Sequence, residues 1–238
     1  MIIDNLVEMH CHILPGIDDG SPNIETSLKM IAKLQAQGCK KIVLTPHYYS
    51  DTISLDDFLI KRNNALNNLK IALPPGSPEL IPSAETYISH YLFHNNDLSN
   101  LCIGNSRYVL IEHPFSSSFS ERSYDRLMNL KCNYDVDIIL AHIERYPALI
   151  ENTRKLDAYL DMGCLTQVNI SSFANAPKHL RKKLFKLVNT NRVHLIGSDC
   201  HNLDSRAPSY YEGAKAIIDN CGKAAFYRLI ENSNIITE

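Results

Sequence analysis

Residues 9–20 read MHCHILPGIDDG. His10 and His12 stand two apart at the end of an apolar run, and a turn-rich loop then carries Asp18 and Asp19. An extended segment sends alternate side chains to one face, so the two imidazoles converge on one point. Imidazole and carboxylate together suit a borderline to hard divalent metal such as Zn, Mn or Fe. Taken alone, so short a motif is matched as well by two surface histidines and a solvated turn. The other strand ends decide between the two.

Outward from this stretch, short apolar runs alternate with segments of helical periodicity. Residues 2–9 form a first strand, interrupted at Asp4 and Asn5. Ser21 is set to cap a helix with Pro22 in its first turn, an apolar face of Leu28, Ile31, Ala32 and Leu34, and Gly38 just past its end. Further strands are predicted at 41–45, 79–84, 107–111, 136–141, 165–170 and 193–197. Helices are predicted at 55–71, 87–93, 119–130, 147–162, 177–189, 208–220 and 223–232. Seven strands alternating with helices imply parallel βα units. No composition shift divides the chain, so residues 1–238 are read as one α/β domain, a closed or nearly closed barrel, with an open doubly wound sheet as the other arrangement.

Composition excludes several classes. A net charge of −2 gives no general attraction for nucleic acid or an anionic membrane, and the densest basic run, Arg181, Lys182 and Lys183, suits a solvated helix face. No basic segment followed by a long apolar stretch opens the chain, and no run reaches membrane-spanning length. Seven cysteines, odd in number and without CxxC spacing, argue for free thiols in a reducing compartment. A cytoplasmic location is the expectation, with no membrane insertion.

The strand ends read in order HCH, TPH, AET, EHP, AHIER, VNISS and GSDCH. Six of these seven carry His, Glu or Asp, whereas the loops at the opposite ends are poor in them. Active sites of parallel β/α folds lie at the C-terminal ends of the strands, so these groups would share one rim. His10, His12, Asp19, His47, Glu85, Glu112, His142, Asp199 and His201 are the candidate metal ligands, with Asp18 an alternative to Asp19. Nine donors exceed what one ion takes, so two or three divalent ions with bridging carboxylates are expected. Adjacent metals clamp the oxygens of an in-line displacement and lower the pKa of bound water. Arg145 and Arg206 follow His142 and His201 closely, and the planar guanidinium fork recognises phosphate oxygens. Metals with convergent arginines point to phosphate-ester hydrolysis.

HCHILPGIDDG, TPH, AET, AHIER and SDCH together resemble the PHP (polymerase and histidinol phosphatase) superfamily. More closely, the chain resembles the bacterial manganese-dependent tyrosine-protein phosphatases of capsule and exopolysaccharide systems, the CpsB/YwqE type. The likeness runs from Met9 to about Pro208. It implies a distorted (β/α)7 TIM-like barrel, the PHP fold, with three divalent metals usually described as Mn2+, with Fe or Zn as alternatives. By motif, His10, His12, Glu85 and Asp199 would hold one ion, Glu85, Glu112 and His142 a second, and Asp19, His47 and His201 the third. Arg145 and Arg206 would be the catalytic grips on phosphate, and a metal-bridged hydroxide would attack phosphorus without a covalent phosphoenzyme. The resemblance implies a hydrolase acting on a phosphotyrosine protein, such as a polysaccharide-assembly tyrosine kinase; homo-oligomerisation stays open. Glu8, Tyr48 and His113 depart from the family pattern, which leaves the role of His113 open. The rival readings are a small-molecule phosphatase, with histidinol phosphate the obvious substrate, and a non-catalytic metal-stabilised binding domain.

Other features are set aside. Cys200 and Arg206 satisfy C-x5-R, the signature of cysteine-dependent phosphatases, but the intervening HNLDS lacks the glycines that turn loop amides toward phosphate. His90 and His94 are read as part of an amphipathic surface helix, His179 and His194 as structural, and Cys11 as a packing residue. The loop 116–123 is expected to border the pocket, and Tyr48 and Tyr49 to flank its rim.

Overall fold

The computed structural model describes residues 2–238. The strands are β1 (Leu6–Glu8), β2 (Cys39–Leu44), β3 (His47–Tyr48), β4 (Glu79–Pro82), β5 (Glu85–Tyr87), β6 (Tyr108–Glu112), β7 (Asp137–Leu140), β8 (Leu165–Asn169) and β9 (Leu195–Gly197). Between and after them run helices α1 (Ile24–Gln35), α2 (Leu55–Ala72), α3 (Glu121–Asn133), α4 (Pro147–Ile150), α5 (Thr153–Asp161), α6 (Ser172–Asn175), α7 (Lys178–Asn189), α8 (Tyr211–Cys221) and α9 (Lys223–Ile236).

Every strand pairing is parallel, in the orders β1-β2-β4 and β3-β5-β6-β7-β8-β9. β2 with β3, and β4 with β5, are each one strand broken in the middle. Pro46 supplies no amide hydrogen at the first break, yet its carbonyl still accepts Glu85 N at 3.0 Å, and Leu44 O accepts Ser83 N at 3.0 Å. The sheet therefore makes seven passes, as the sequence predicts. It closes on itself: Asp199 N donates to His10 O at 2.7 Å and His12 N to Cys200 O at 2.9 Å, around a parallel bridge between Cys11 and Cys200. This is the distorted TIM-like barrel.

Strand alternation places the site. Val7, Met9, Val43, Ile81, Leu110, Ile139 and Leu195 form one apolar cluster, while Leu6, Ile42, Leu44, Leu80, Val109, Ile111, Ile138, Leu140 and Ile196 belong to the larger core that includes the helices. The first set fills the barrel and the second lies beneath the helical ring. Stepping by two from the barrel-filling residues reaches His47 on β3, Glu85 on β5, Glu112 on β6 and Asp199 just past β9. The same steps from Leu165 reach Gln167 and Asn169. His142 breaks the alternation after Ala141 with a left-handed backbone (φ 30°), an uncommon conformation outside glycine.

Several expectations change. Asn23, not Ser21, caps α1, its side chain accepting from Thr26 N, while the Ser21 hydroxyl pairs with Ser27. Ala32 is exposed; Ser27 and Met30 join Ile31 and Leu34 on the buried face. The helix predicted over 87–93 is a single turn, Tyr91–His94, because Tyr87 belongs to β5. The 147–162 helix splits where Asn152 leaves the helix and caps α5 through Lys155 N. Tyr48 is buried against Phe58 and flanks no rim.

Candidate metal centre

Glu85 sits at the middle of the strand-end cluster. Its Oε2 lies 3.2 Å from both His10 Nε2 and His12 Nε2 and 3.0 Å from His47 Nδ1. Its Oε1 lies 2.8 Å from His142 Nε2, which is in turn 3.4 Å from Glu112 Oε1. Asp199 Oδ1 is 3.5 Å from both His10 Nε2 and His12 Nε2, which are 3.3 Å apart. Asp19, 66% exposed, brings Oδ1 within 3.5 Å of His47 Nε2 and 3.4 Å of His201 Nε2. All nine candidate ligands thus form one continuous cluster. Three groups within it have donor atoms mutually within 4.8 Å: His10, His12 and Glu85; His47, Glu85 and Glu112; and His12, Asp19, His47 and His201.

The donor set fits divalent cations. Tetrahedral ligands about 2.1 Å from one ion lie about 3.4 Å from each other, close to the spacings above. Glu85 Oε2 has three imidazole nitrogens around it and yet no hydrogen bond, and His47 Nδ1 and His201 Nε2 are also buried without a partner. Buried polar atoms are seldom left so, and a cation shared by these donors would satisfy them.

Charge is tightly coupled. Burial works against a charge on His12, but the carboxylates of Asp18, Asp199 and Glu85 hold its pKa well above the usual value. Burial likewise opposes charge on His142, yet Glu112 and Glu85 push it up to about 9. Despite burial, His10, His12 and His142 hold Glu85 well below the usual carboxylate range, and His10 and His12 do the same for Asp199. His201 goes the other way, down to about 4, through burial and the neighbouring His12.

Behind the donors stands a supporting layer. Asp18 Oδ2 lies 2.8 Å from His12 Nδ1 and accepts His47 N at 3.0 Å, so Asp18 braces the histidines while Asp19 faces the cluster. Glu8 Oε1 accepts His10 N at 3.0 Å and Ser198 N at 2.8 Å, tying the first strand end to the last. A Cβ on Gly197 would lie 2.7 Å from His10 Cβ, so only glycine admits this approach. Gln167 and Asn169 on β8 reach into the same layer. VNISS (residues 168–172) holds no His, Asp or Glu, so the strand-end pattern is silent on Asn169 and on Gln167 just before it, but alternation from Leu165 points to both.

His113 joins none of the donor groups among the described residues. Its ring packs 4.5 Å from Phe119, burial drives its pKa down to about 3, and its backbone N–H and C=O both bond the Tyr146 hydroxyl. Cys11 donates to Val43 O and Cys200 is fully buried, while Arg206 reaches Asp199. His90 and His94 are exposed and belong to no donor group. His194 Nδ1 accepts from Thr166 N, a structural contact. Phe119 anchors loop 116–123 against Tyr146 and Tyr159.

Arg145 and Arg206 converge on one carboxylate, with Arg206 Nη2 2.8 Å from Asp199 Oδ1 and Arg145 Nη2 on Oδ2. They line a cavity of about 490 Å³ with Asn169, Ser171, Ser205 and Glu212. A second cavity of about 350 Å³ opens beside Asp19 and His47 and is walled by Ile17, Tyr49, Ile53 and Phe58. Aromatic side chains edge the cluster: Tyr49 stacks on His47 at 5.1 Å, Tyr87 follows at 5.5 Å, and Phe115, 58% exposed, lies 6.1 Å from His142 and under the Arg145 guanidinium. No helix of the described residues is long and apolar enough to cross a membrane.

Comparison with known proteins follows the same lines. Residues 6–237 match the family described as capsular polysaccharide synthesis, CpsB/CapC. The chain is 31% identical over 221 residues to the tyrosine-protein phosphatase CpsB of Streptococcus pneumoniae, covering 90% of this chain and 89% of that one. It is 26% identical over 242 residues to the tyrosine-protein phosphatase YwqE of Bacillus subtilis, covering 97% and 91%. The fold superposes with a TM-score of 0.78, at 24% identity over 98% of this chain and 94% of the other, on a structure from work on YwqE of B. subtilis and CpsB of S. pneumoniae, described as unique metal-dependent tyrosine phosphatases. With almost its whole length matched, the chain belongs to the CpsB/CapC family of capsular polysaccharide synthesis.

Proposed function

We propose that residues 1–238 act as one metal-dependent protein-tyrosine phosphatase domain, a phosphoric monoester hydrolase in the control of capsular or extracellular polysaccharide synthesis. The observation that carries this reading is the convergence of five imidazoles and four carboxylates beside two arginines. His10, His12, Glu85 and Asp199 would hold one ion, Glu85, Glu112 and His142 a second, and Asp19, His47 and His201 a third, with Mn2+ the expected metal. Bound there, divalent ions supply Lewis acidity and an acidified water.

The chain's own residues do the rest. Arg145 and Arg206 share the carboxylate of Asp199 and stand at the cavity wall, where their forks suit two phosphoryl oxygens. Hydrolysis adds one water to phosphorus and breaks the bond to the tyrosine oxygen, which leaves with the electron pair and takes up a proton. Tyr49, Tyr87 and Phe115 give the rim an aromatic edge suited to an aryl ester, and ring pairs of this kind favour offset or edge contacts. The substrate in this reading is a phosphotyrosine protein, such as a polysaccharide-assembly tyrosine kinase. Seven free cysteines support work in the reducing cytoplasm.

Comparing kcat/KM for a phosphotyrosine peptide and for histidinol phosphate, each with Mn2+, tests the substrate. A preference for the peptide is expected; a strong preference for histidinol phosphate would overturn it.

A further inference from the structure

The backbone N–H of His142 is a donor and nothing else. It lies 2.7 Å from one terminal atom of Gln167, so that atom is the carbonyl oxygen Oε1. The same oxygen lies 3.2 Å from His10 Nδ1, so His10 must donate from Nδ1. In the neutral ring this leaves the lone pair on Nε2, the nitrogen that faces Glu85 and His12. The other end of the amide is then Nε2, which donates to Asn169 Oδ1 at 2.9 Å. That fixes the Asn169 amide in turn, and its Nδ2 donates to Asp199 Oδ2 at 2.9 Å. One irreversible donor therefore sets the direction of every bond from His142 to Asp199.

The path is buried throughout, with Gln167 and His10 at 0% exposure and Asn169 at 5%. Gly197 makes room for it: a Cβ there would lie 3.2 Å from Gln167 Nε2. Two groups proposed above as ligands of one ion, His10 and Asp199, are thus oriented from a single strand that supplies no ligand itself.

We infer that Gln167 is a positioning residue of the metal centre, holding His10 in its Nδ1–H tautomer and, through Asn169, fixing the carboxylate of Asp199. This rests on the metal-binding reading above. Partners of this kind fix ligand tautomer and ring orientation, and their loss typically weakens metal affinity about 10- to 100-fold.

The test is Mn2+ affinity, measured by competition with a fluorescent chelator, for the wild type, Gln167→Met and Gln167→Glu, with Tm recorded for each. Methionine keeps the length of the side chain and removes both hydrogen-bonding ends. Glutamate keeps the acceptor for His10 Nδ1 and His142 N but loses the donor to Asn169 Oδ1, so it restores only the His10 half of the path. The expected result is a loss of about 10-fold or more in Gln167→Met, with Gln167→Glu recovering part of it. Wild-type affinity in Gln167→Met, or equal losses in both variants that follow their Tm, would overturn the inference. A wild type that binds no Mn2+ would overturn the metal-binding reading itself.

Discussion

Asp18 Oδ2 lies 2.8 Å from His12 Nδ1, so the first of two adjacent aspartates serves a histidine from behind while the second faces the donor cluster. Gly20 N, bonded to Asp18 Oδ1 at 3.0 Å, and His47 N hold that carboxylate in place. The two residues should therefore fail differently. Asp18→Ala is expected to weaken metal affinity about 10- to 100-fold with stoichiometry retained. Asp19→Ala is expected to lose part of the bound metal outright. Elemental analysis of dialysed protein, with a chelator titration, separates the two outcomes.

Arg145 and Arg206 contact Asp199 but offer no lone pair to a cation. Replacing either with methionine should leave bound metal near the wild-type level and lower kcat/KM for a phosphotyrosine peptide by about 100-fold or more. Parallel loss of metal in both variants would mean that the arginines act only through Asp199.

Gly20 is packed where no side chain fits: a Cβ would lie 2.2 Å from His12 O and 2.5 Å from His12 Cβ. Gly20→Ala should destabilise the chain by roughly 2–4 kcal/mol and displace His12. Gly76 has a left-handed backbone but open space around it, so Gly76→Ala should cost only about 1 kcal/mol. Denaturant unfolding of both variants measures the difference.

The carboxylates raise the pKa of His12 and His142, the latter to about 9, so the metal-free cluster carries protons on imidazole at neutral pH. A cation must displace them. Affinity is therefore expected to rise from pH 6 to 9, and binding at pH 7 to release protons into solution. Calorimetry in two buffers of different ionisation enthalpy should give different apparent heats; identical heats would contradict the coupling.

The barrel was legible because it follows strand periodicity, and the ligands because they gather at or just beyond the strand ends. Apolar runs ending in His, Glu or Asp marked seven passes and one rim, and alternation set His47, Glu85, Glu112 and Asp199 on the barrel's inner side. Three things were not legible for physical reasons. Adjacent aspartates in a turn have no period, so Asp18 and Asp19 could not be told apart. His142 enters the cluster through a left-handed backbone that no pattern encodes. Gln167 and Asn169 are amides, silent in a search for charged or metal-binding types, and only their hydrogen bonds reveal them.

Phosphate release from a phosphotyrosine peptide, followed before chelation, after exhaustive removal of metal, and after Mn2+ is returned, tests the central claim most directly. The donor cluster around Glu85 predicts turnover that vanishes on chelation and returns with Mn2+. Undiminished turnover by protein shown to hold no metal would contradict it.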